Sequence, residues 1–223
     1  MLLADVALLT PSLEDQRVFY SRVLELPAEH AGDDALVVDC GRSVLRFHPG
    51  EGSYHVAFGV PGNRFEEARA WLAERADLLT EDGNDRFAFS DWDGEACYTL
   101  DPADNVIELI ALHGLDHADV FRGGADLTCI AELGLPVPDV LATAAELEQA
   151  AGISTWDGDP PSAGFSAIGE RGASFIVVPV ARNWYPTELP NVLAPVTVRV
   201  EAGRDAVVEP TGTPYRLEFT RTA

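Results

Sequence analysis

The stretch HVAFGVP, at residues 55–61, decides the fold because the chain holds two close counterparts of it. Residues 5–11 read DVALLTP, and residues 132–138 read ELGLPVP. Each stretch is an apolar strand that ends at a proline, which cannot donate to a strand ladder. A helical pattern follows each one, and short apolar strands follow the helix. We therefore predict one strand–helix–strands module, repeated at least three times.

The repeat also predicts how the chain is divided. Between the strands that we expect for a fourth copy, the chain is too short and too rich in glycine and proline for a normal helix, so this copy is degenerate. The predicted modules span residues 1–49, 50–112, 127–181 and 192–223, with a linker at 113–126. We expect the first two modules to pair within residues 1–112, and the third to pair with the degenerate fourth within residues 127–223.

Composition limits the partners of the chain. The 37 acidic residues outnumber the 15 basic residues, all of them arginine, and the net charge is −22. This balance argues against binding to nucleic acid or to an anionic membrane, because both need a basic surface. Hydrophobic residues make up 47% of the chain, as in globular proteins, and no apolar run is long enough to cross a bilayer.

The cysteines and the first residues predict where in the cell the protein is located. The three cysteines, Cys40, Cys97 and Cys129, are scattered without metal-binding or disulfide spacing, which suits free thiols in a reducing environment. The first residues lack the basic flank and apolar stretch of a signal peptide. We expect a cytoplasmic protein.

Two stretches resemble a known family. Residues 98–110, YTLDPADNVIELI, resemble a hairpin of the form Asp-Pro-x-Gly-Asn-x-x-Glu-Leu, with Asp104 where glycine is usual. Residues 18–26, VFYSRVLEL, resemble a helix of the form Phe-Tyr-x-x-x-Leu-Gly, with Glu25 in place of glycine. Both forms belong to the vicinal oxygen chelate superfamily, which includes glyoxalase I, the fosfomycin- and bleomycin-resistance proteins and the extradiol dioxygenases.

The resemblance implies an α+β fold. Paired βαβββ modules would form cupped, half-open mixed sheets with the helices outside. A divalent metal would lie inside the cup, held by residues of the first and last strands of the modules. The length and the two module pairs are most like those of two-domain extradiol dioxygenases.

Carrying the family pattern onto this chain places four residues in the first module pair. Asp5 and His55 occupy first-strand positions, and Arg46 and Glu108 occupy last-strand positions. The resemblance implies Asp5, His55 and Glu108 as metal ligands, a set compatible with Fe²⁺, Mn²⁺ or another divalent ion. Arg46 cannot bind metal, but it can pair with an acid or hold a substrate carboxylate. The alternative is a metal-free polar cluster, because buried charges must be paired or neutralised.

Other residues are candidates for the pocket wall or for structural roles. Trp92 and Tyr98 precede the Glu108 strand and, with Arg46, are the expected pocket residues. The segment at 182–186, RNWYP, either covers the cavity or packs between the two halves. The second module pair offers Glu132 and Glu218 without any histidine, and we expect a structural role for this pair.

Two functions remain open at this level. The resemblance implies a metal-dependent enzyme that chelates two neighbouring oxygens of a small organic substrate, either ring-cleaving dioxygenase-like or glyoxalase-like. The alternative is a metal-free small-molecule binding protein of the bleomycin-resistance type. Because both module pairs lie in one chain, a monomer and a homodimer are both compatible with the sequence.

Overall fold

A computed structural model describes residues 1–222 of the chain. The first module contains β1 (Leu2–Thr10), α1 (Leu13–Arg22), β2 (Ala28–His30), β3 (Leu36–Cys40) and β4 (Ser43–Pro49). The second contains β5 (His55–Val60), α2 (Phe65–Ala73), β6 (Phe87–Phe89), β7 (Gly94–Leu100) and β8 (Val106–Leu112). The third contains β9 (Ile130–Val137), α3 (Val140–Ala151), β10 (Ser166–Glu170) and β11 (Ala173–Pro179). The fourth contains only strands, β12 (Val196–Ala202), β13 (Ala206–Val208) and β14 (Tyr215–Arg221).

Helix starts follow from local capping. Ser12 precedes α1, and its hydroxyl accepts a hydrogen bond from the backbone N–H of Asp15 at 3.2 Å. Asp139 precedes α3 and accepts in the same way from the N–H of Ala142 at 3.0 Å. Such side chains satisfy donors that the first turn of a helix leaves unpaired. No helix in residues 1–222 is long and apolar enough to cross a membrane.

The strands form two seven-stranded sheets. The inner-pair sheet, from the second and third modules, has the order β10-β11-β9-β5-β8-β7-β6. The outer-pair sheet, from the first and fourth modules, has the order β13-β14-β12-β1-β4-β3-β2. In each sheet the two first strands lie side by side and antiparallel, β5 against β9 and β1 against β12. The α+β fold with paired modules and cupped sheets is confirmed.

The pairing of modules differs from the prediction. We expected the first module to pair with the second, but the second pairs with the third and the first with the fourth. Burial gives the physical reason. Strands β5, β8 and β9 are buried along their whole length, whereas β1, β12 and β14 alternate between buried and more exposed residues. Strands that are buried on both faces need cover on both faces, and here they share one sheet, whereas the alternating strands share the other.

The helices and one shared core lie between the sheets. Tyr20 of α1 is fully buried. Its ring centroid lies 5.4 Å from that of Phe47 in the outer-pair sheet and 6.3 Å from that of Phe58 in the inner-pair sheet. This core therefore covers one face of each sheet. The opposite face of the inner-pair sheet carries a second, smaller cluster of buried residues, which includes Ala57, Tyr98 and Trp184.

Glu25, at the first position where the family pattern has glycine, has a φ of 51°, in the left-handed region. Its carboxylate accepts hydrogen bonds from Trp71 Nε1 at 3.1 Å and from Arg75 Nη2 at 3.1 Å. These bonds tie the end of α1 to α2. A glycine would fit the backbone but would lose this link.

Asp104, at the second such position, has a φ of 57° and an exposed side chain. Because glycine adopts this conformation without a Cβ penalty, Asp104→Gly should raise the free energy of unfolding by about 0.5–1 kcal/mol. Urea denaturation measures this difference. Asp104→Ala is the control and should lower the free energy by about 1 kcal/mol, because alanine tolerates a positive φ less well than aspartate. A loss of stability in Asp104→Gly would contradict the assignment of strain to this turn.

Candidate metal centre and cavity

Three acid–base side chains converge on the open face of the inner-pair sheet. Glu108 of β8 and Glu132 of β9 both lie opposite Ala57 of β5, one on each side. His55 precedes Ala57 by two residues and so points to the same face. One potential ligand atom from each of His55, Glu108 and Glu132 lies within 4.8 Å of the others, and all three residues are buried.

Hydrogen bonds fix part of this cluster. His55 Nε2 and Glu108 Oε2 lie 2.7 Å apart, and the hydroxyl of Tyr98 donates to Glu108 Oε1 at 3.1 Å. Both oxygens of Glu108 are therefore held. Tyr98 sits opposite Glu108 on the neighbouring strand β7, so the sheet register itself places the hydroxyl.

Two carboxyl groups this close and this buried disfavour each other's charge. Burial, reinforced by the charge of Glu108, raises the pKa of Glu132 well above its usual value. Burial and the same carboxylate also raise the pKa of Tyr98 well above its usual value.

Trp184 closes one side of the cluster. Its ring centroid lies 5.7 Å from that of His55. A Cβ at residue 134 would come within 2.5 Å of Trp184 Cη2, so Gly134 lets the indole lie against β9. His55 Nδ1 and Trp184 Nε1 are both buried and have no hydrogen-bond partner within residues 1–222. Unpaired buried polar atoms are rare, and their clustering marks a place where a ligand can bind.

A cavity of about 390 Å³ opens above the cluster. The cluster forms part of its lining, with Ile176 and Val178 of β11 beside it, and the other walls are mostly aromatic. The aromatic wall residues are Phe89, Trp92, Tyr98, Phe165, Trp184 and Tyr185. This volume and lining are typical of small-molecule sites.

Comparison with known proteins identifies the fold of the chain. No family model and no curated protein matches the chain. Among solved structures, a proposed dioxygenase from Bacillus subtilis matches 99% of this chain and 85% of its own, at 15% identity and a TM-score of 0.61. The chain has the fold of the vicinal oxygen chelate superfamily.

Two further solved structures match about half of this chain. A lactoylglutathione lyase from Agrobacterium tumefaciens matches 48% of this chain and 90% of its own, at 19% identity and a TM-score of 0.40. A fosfomycin resistance protein from Listeria monocytogenes, complexed with Mn(II), matches 52% and 91%, at 13% identity and a TM-score of 0.40.

Within this vicinal oxygen chelate fold, Asp5 lies away from the other expected ligands. It belongs to the outer-pair sheet, where Arg46 Nε donates to both of its carboxylate oxygens, at 3.0 and 2.9 Å. Arg199 Nη2 lies 3.6 Å from the same carboxylate. The expected grouping of Asp5 with His55 and Glu108 is therefore wrong, because it depended on the first two modules sharing a sheet. Arg46 is likewise absent from the cavity wall, whereas the expected pocket residues Trp92 and Tyr98 line it.

Glu132 takes the place that we expected for Asp5. In the repeat, Glu132 lies six residues before a proline, as His55 does. We nevertheless expected a structural role for Glu132, because the third and fourth modules offer no histidine at the matching positions. The sheet supplies that histidine from the second module. On β11, Ile176 lies opposite Gly134 as Glu108 lies opposite Ala57, so an aliphatic side chain occupies the fourth position. Val177, the next residue along β11, points the other way and is fully buried in the shared core.

Proposed function

We propose that this chain is a metal-dependent enzyme in which His55, Glu108 and Glu132 hold one divalent cation. The convergence of one imidazole and two carboxylates on one buried face carries this proposal. Its reaction would be that of a ring-cleaving dioxygenase or a glyoxalase-type lyase, acting on a small organic substrate with two neighbouring oxygens.

The residues present fit a divalent cation. Two buried carboxyl groups and an imidazole offer three donor atoms within 4.8 Å of one another. Within residues 1–222, no arginine is hydrogen-bonded to the cluster. A cation would offset the repulsion between the buried carboxyl groups of Glu108 and Glu132. Mixed nitrogen and oxygen ligands suit Fe²⁺, Mn²⁺ and related ions better than Ca²⁺, which prefers oxygen alone.

Each part of the site has a role in this proposal. A bound divalent cation polarises neighbouring substrate oxygens and makes their protons easier to remove. Tyr98 orients the carboxylate of Glu108 through its hydroxyl. Trp184 shields His55 from water, and the aromatic walls hold the body of the substrate.

A second candidate is a metal-free binding protein of the bleomycin-resistance type. The 2.7 Å contact between His55 and Glu108 favours it, because that contact already pairs two of the three groups without a metal. The aromatic lining of the cavity would then carry the binding.

Metal analysis separates the two candidates. Protein purified without chelators should contain a stoichiometric divalent metal. Adding Mn²⁺ or Fe²⁺ to stripped protein, at about 100 times its Kd, should stabilise it by about 2.7 kcal/mol. For a chain of this size, the midpoint of thermal unfolding should then rise by about 5–10 °C. Protein that purifies without metal and shows no thermal shift with Fe²⁺, Mn²⁺, Ni²⁺ or Zn²⁺ would favour the binding protein.

Oligomeric state and location stay predictions. The cup of the inner-pair sheet forms within one chain, so the site needs no residue from a second copy, and a monomer and a homodimer are both expected outcomes. Sizing chromatography distinguishes them. The cytoplasmic location can be checked by fractionation.

A further inference from the structure

Arg182 stands at the wall of the cavity, three residues after the end of β11. Its Nη1 donates to the backbone carbonyl of Gly164 at 2.7 Å, and its guanidinium carbon lies 5.7 Å from the ring centroid of Phe165. These two contacts hold an exposed cationic side chain beside the opening.

The charge of Arg182 is not matched by an acid. Within residues 1–222, no carboxylate oxygen lies within 4.0 Å of its guanidinium, whereas most other arginines have such a partner; Arg46 with Asp5 is one case. This is unusual in a chain with 37 acidic and 15 basic residues. A guanidinium keeps donors free for a planar anion, to which it can donate two parallel hydrogen bonds.

The cavity wall beside Arg182 is mostly aromatic, which suits a flat ring. Phe165 and Trp92 have ring centroids 6.0 Å apart, and Trp184 and Tyr185 contribute rings to the cavity. Aromatic side chains bind other rings by stacked or edge-on contact and by burial of apolar area. A volume of about 390 Å³ has room for a molecule of one or two rings.

We propose that the cavity binds a flat aromatic carboxylate, whose ring lies between the aromatic walls and whose carboxylate is bound by Arg182. The contact between Arg182 and the carboxylate does not depend on the proposed function. Two neighbouring oxygens at the other end of the substrate, next to His55, Glu108 and Glu132, rest on it. Arg182 then selects the charge of the substrate, the walls select its shape, and the metal site selects its oxygens.

Isothermal titration with matched acids and amides tests the carboxylate contact. The first pair is 1-naphthylacetate and 1-naphthylacetamide, measured on metal-stripped protein; these molecules have no neighbouring ring oxygens. We expect the acid to bind about tenfold more tightly than the amide, the size of one charge-assisted contact. Arg182→Gln should remove this preference, and Arg182→Lys should retain only part of it because lysine lacks the planar fork.

Arg22→Gln is the matched control. It removes the same charge from the exposed end of α1, in a module of the other sheet, and should leave the preference for the acid intact. Equal affinity for acid and amide in the wild type, or an unchanged preference in Arg182→Gln, would overturn the proposal.

A second pair of compounds tests the metal site separately from the carboxylate contact. The affinity for 3,4-dihydroxyphenylacetate and its amide should rise at least about tenfold when Mn²⁺ is added, if the two neighbouring oxygens reach the cation. No rise, together with a preserved preference for 1-naphthylacetate, would refute the metal site and support Arg182. A rise without any acid preference would support the metal site and refute Arg182.

Discussion

Glu132→Gln should weaken Mn²⁺ binding by at least about 100-fold. Loss of a residue that only supports a metal ligand already lowers metal affinity by up to about 100-fold, and Glu132 is itself a proposed ligand. The amide keeps the size of the side chain but removes one of the two negative charges that face the cation. In metal-free protein the same change should leave stability equal or slightly higher, because burial disfavours the charged form of Glu132. Calorimetric titration with Mn²⁺ measures the first effect, and urea denaturation measures the second.

Asp5→Asn is the matched control, because it makes the same acid-to-amide change at the corresponding first-strand position of the outer-pair sheet. Arg46 and Arg199 occupy the space around this carboxylate, and two guanidinium groups exclude a cation. Mn²⁺ affinity should therefore stay within about twofold of the wild type, because Asp5 belongs to the other sheet and shares no hydrogen-bond partner with the cluster among residues 1–222. Loss of Mn²⁺ binding in Asp5→Asn, with binding retained in Glu132→Gln, would refute the assigned site.

Asp101→Ala should lower the free energy of unfolding by about 3 kcal/mol, because it leaves several buried donors without an acceptor. The carboxylate is buried and accepts from the backbone N–H groups of Ala103 and Asn105 at 2.9 and 3.0 Å. It also accepts from the side-chain amides of Asn105 and Gln16 at 2.8 and 2.9 Å. Gln16 belongs to α1, so Asp101 joins the hairpin of the second module to the helix of the first.

Asp91→Ala is the reference change for Asp101. Asp91 is exposed, and within residues 1–222 its side chain accepts one hydrogen bond, from Ser90 Oγ at 3.4 Å, so its loss should change stability by less than about 0.5 kcal/mol. Urea denaturation of both variants gives the comparison. If Asp101→Ala cost no more than Asp91→Ala, the hydrogen bonds around Asp101 would carry little of the stability that we assign to them.

Much of the fold could be read from local pattern. The strand-then-proline repeat placed β1, β5 and β9, and the hairpin around Asp101 and Asn105 matched a family pattern that the structure explains through buried hydrogen bonds. Those features depend on neighbours along the chain, which is why one sequence is enough to predict them.

The candidate site was only partly predictable. His55, Glu108, Trp92 and Tyr98 line the cavity as expected, because all four lie in one module. The register of β5, β7 and β8 sets the relative positions of His55, Tyr98 and Glu108. Asp5 and Glu132 exchanged roles because they come from different modules. The segment at 182–186 stood out in the sequence, but nothing there distinguished Arg182, because the surroundings of its guanidinium are set by the fold.

The sequence by itself determined the module, its strands and helices, and the offset that points His55 and Glu132 towards an open face. Only the tertiary structure decided which modules share a sheet. Each module presents a similar first-strand edge, so backbone pairing alone does not distinguish one partner from another. The choice comes from burial of side chains on both faces of β5, β8 and β9, a property of the assembled sheets. That choice brings Glu132 to His55 and leaves Asp5 with Arg46.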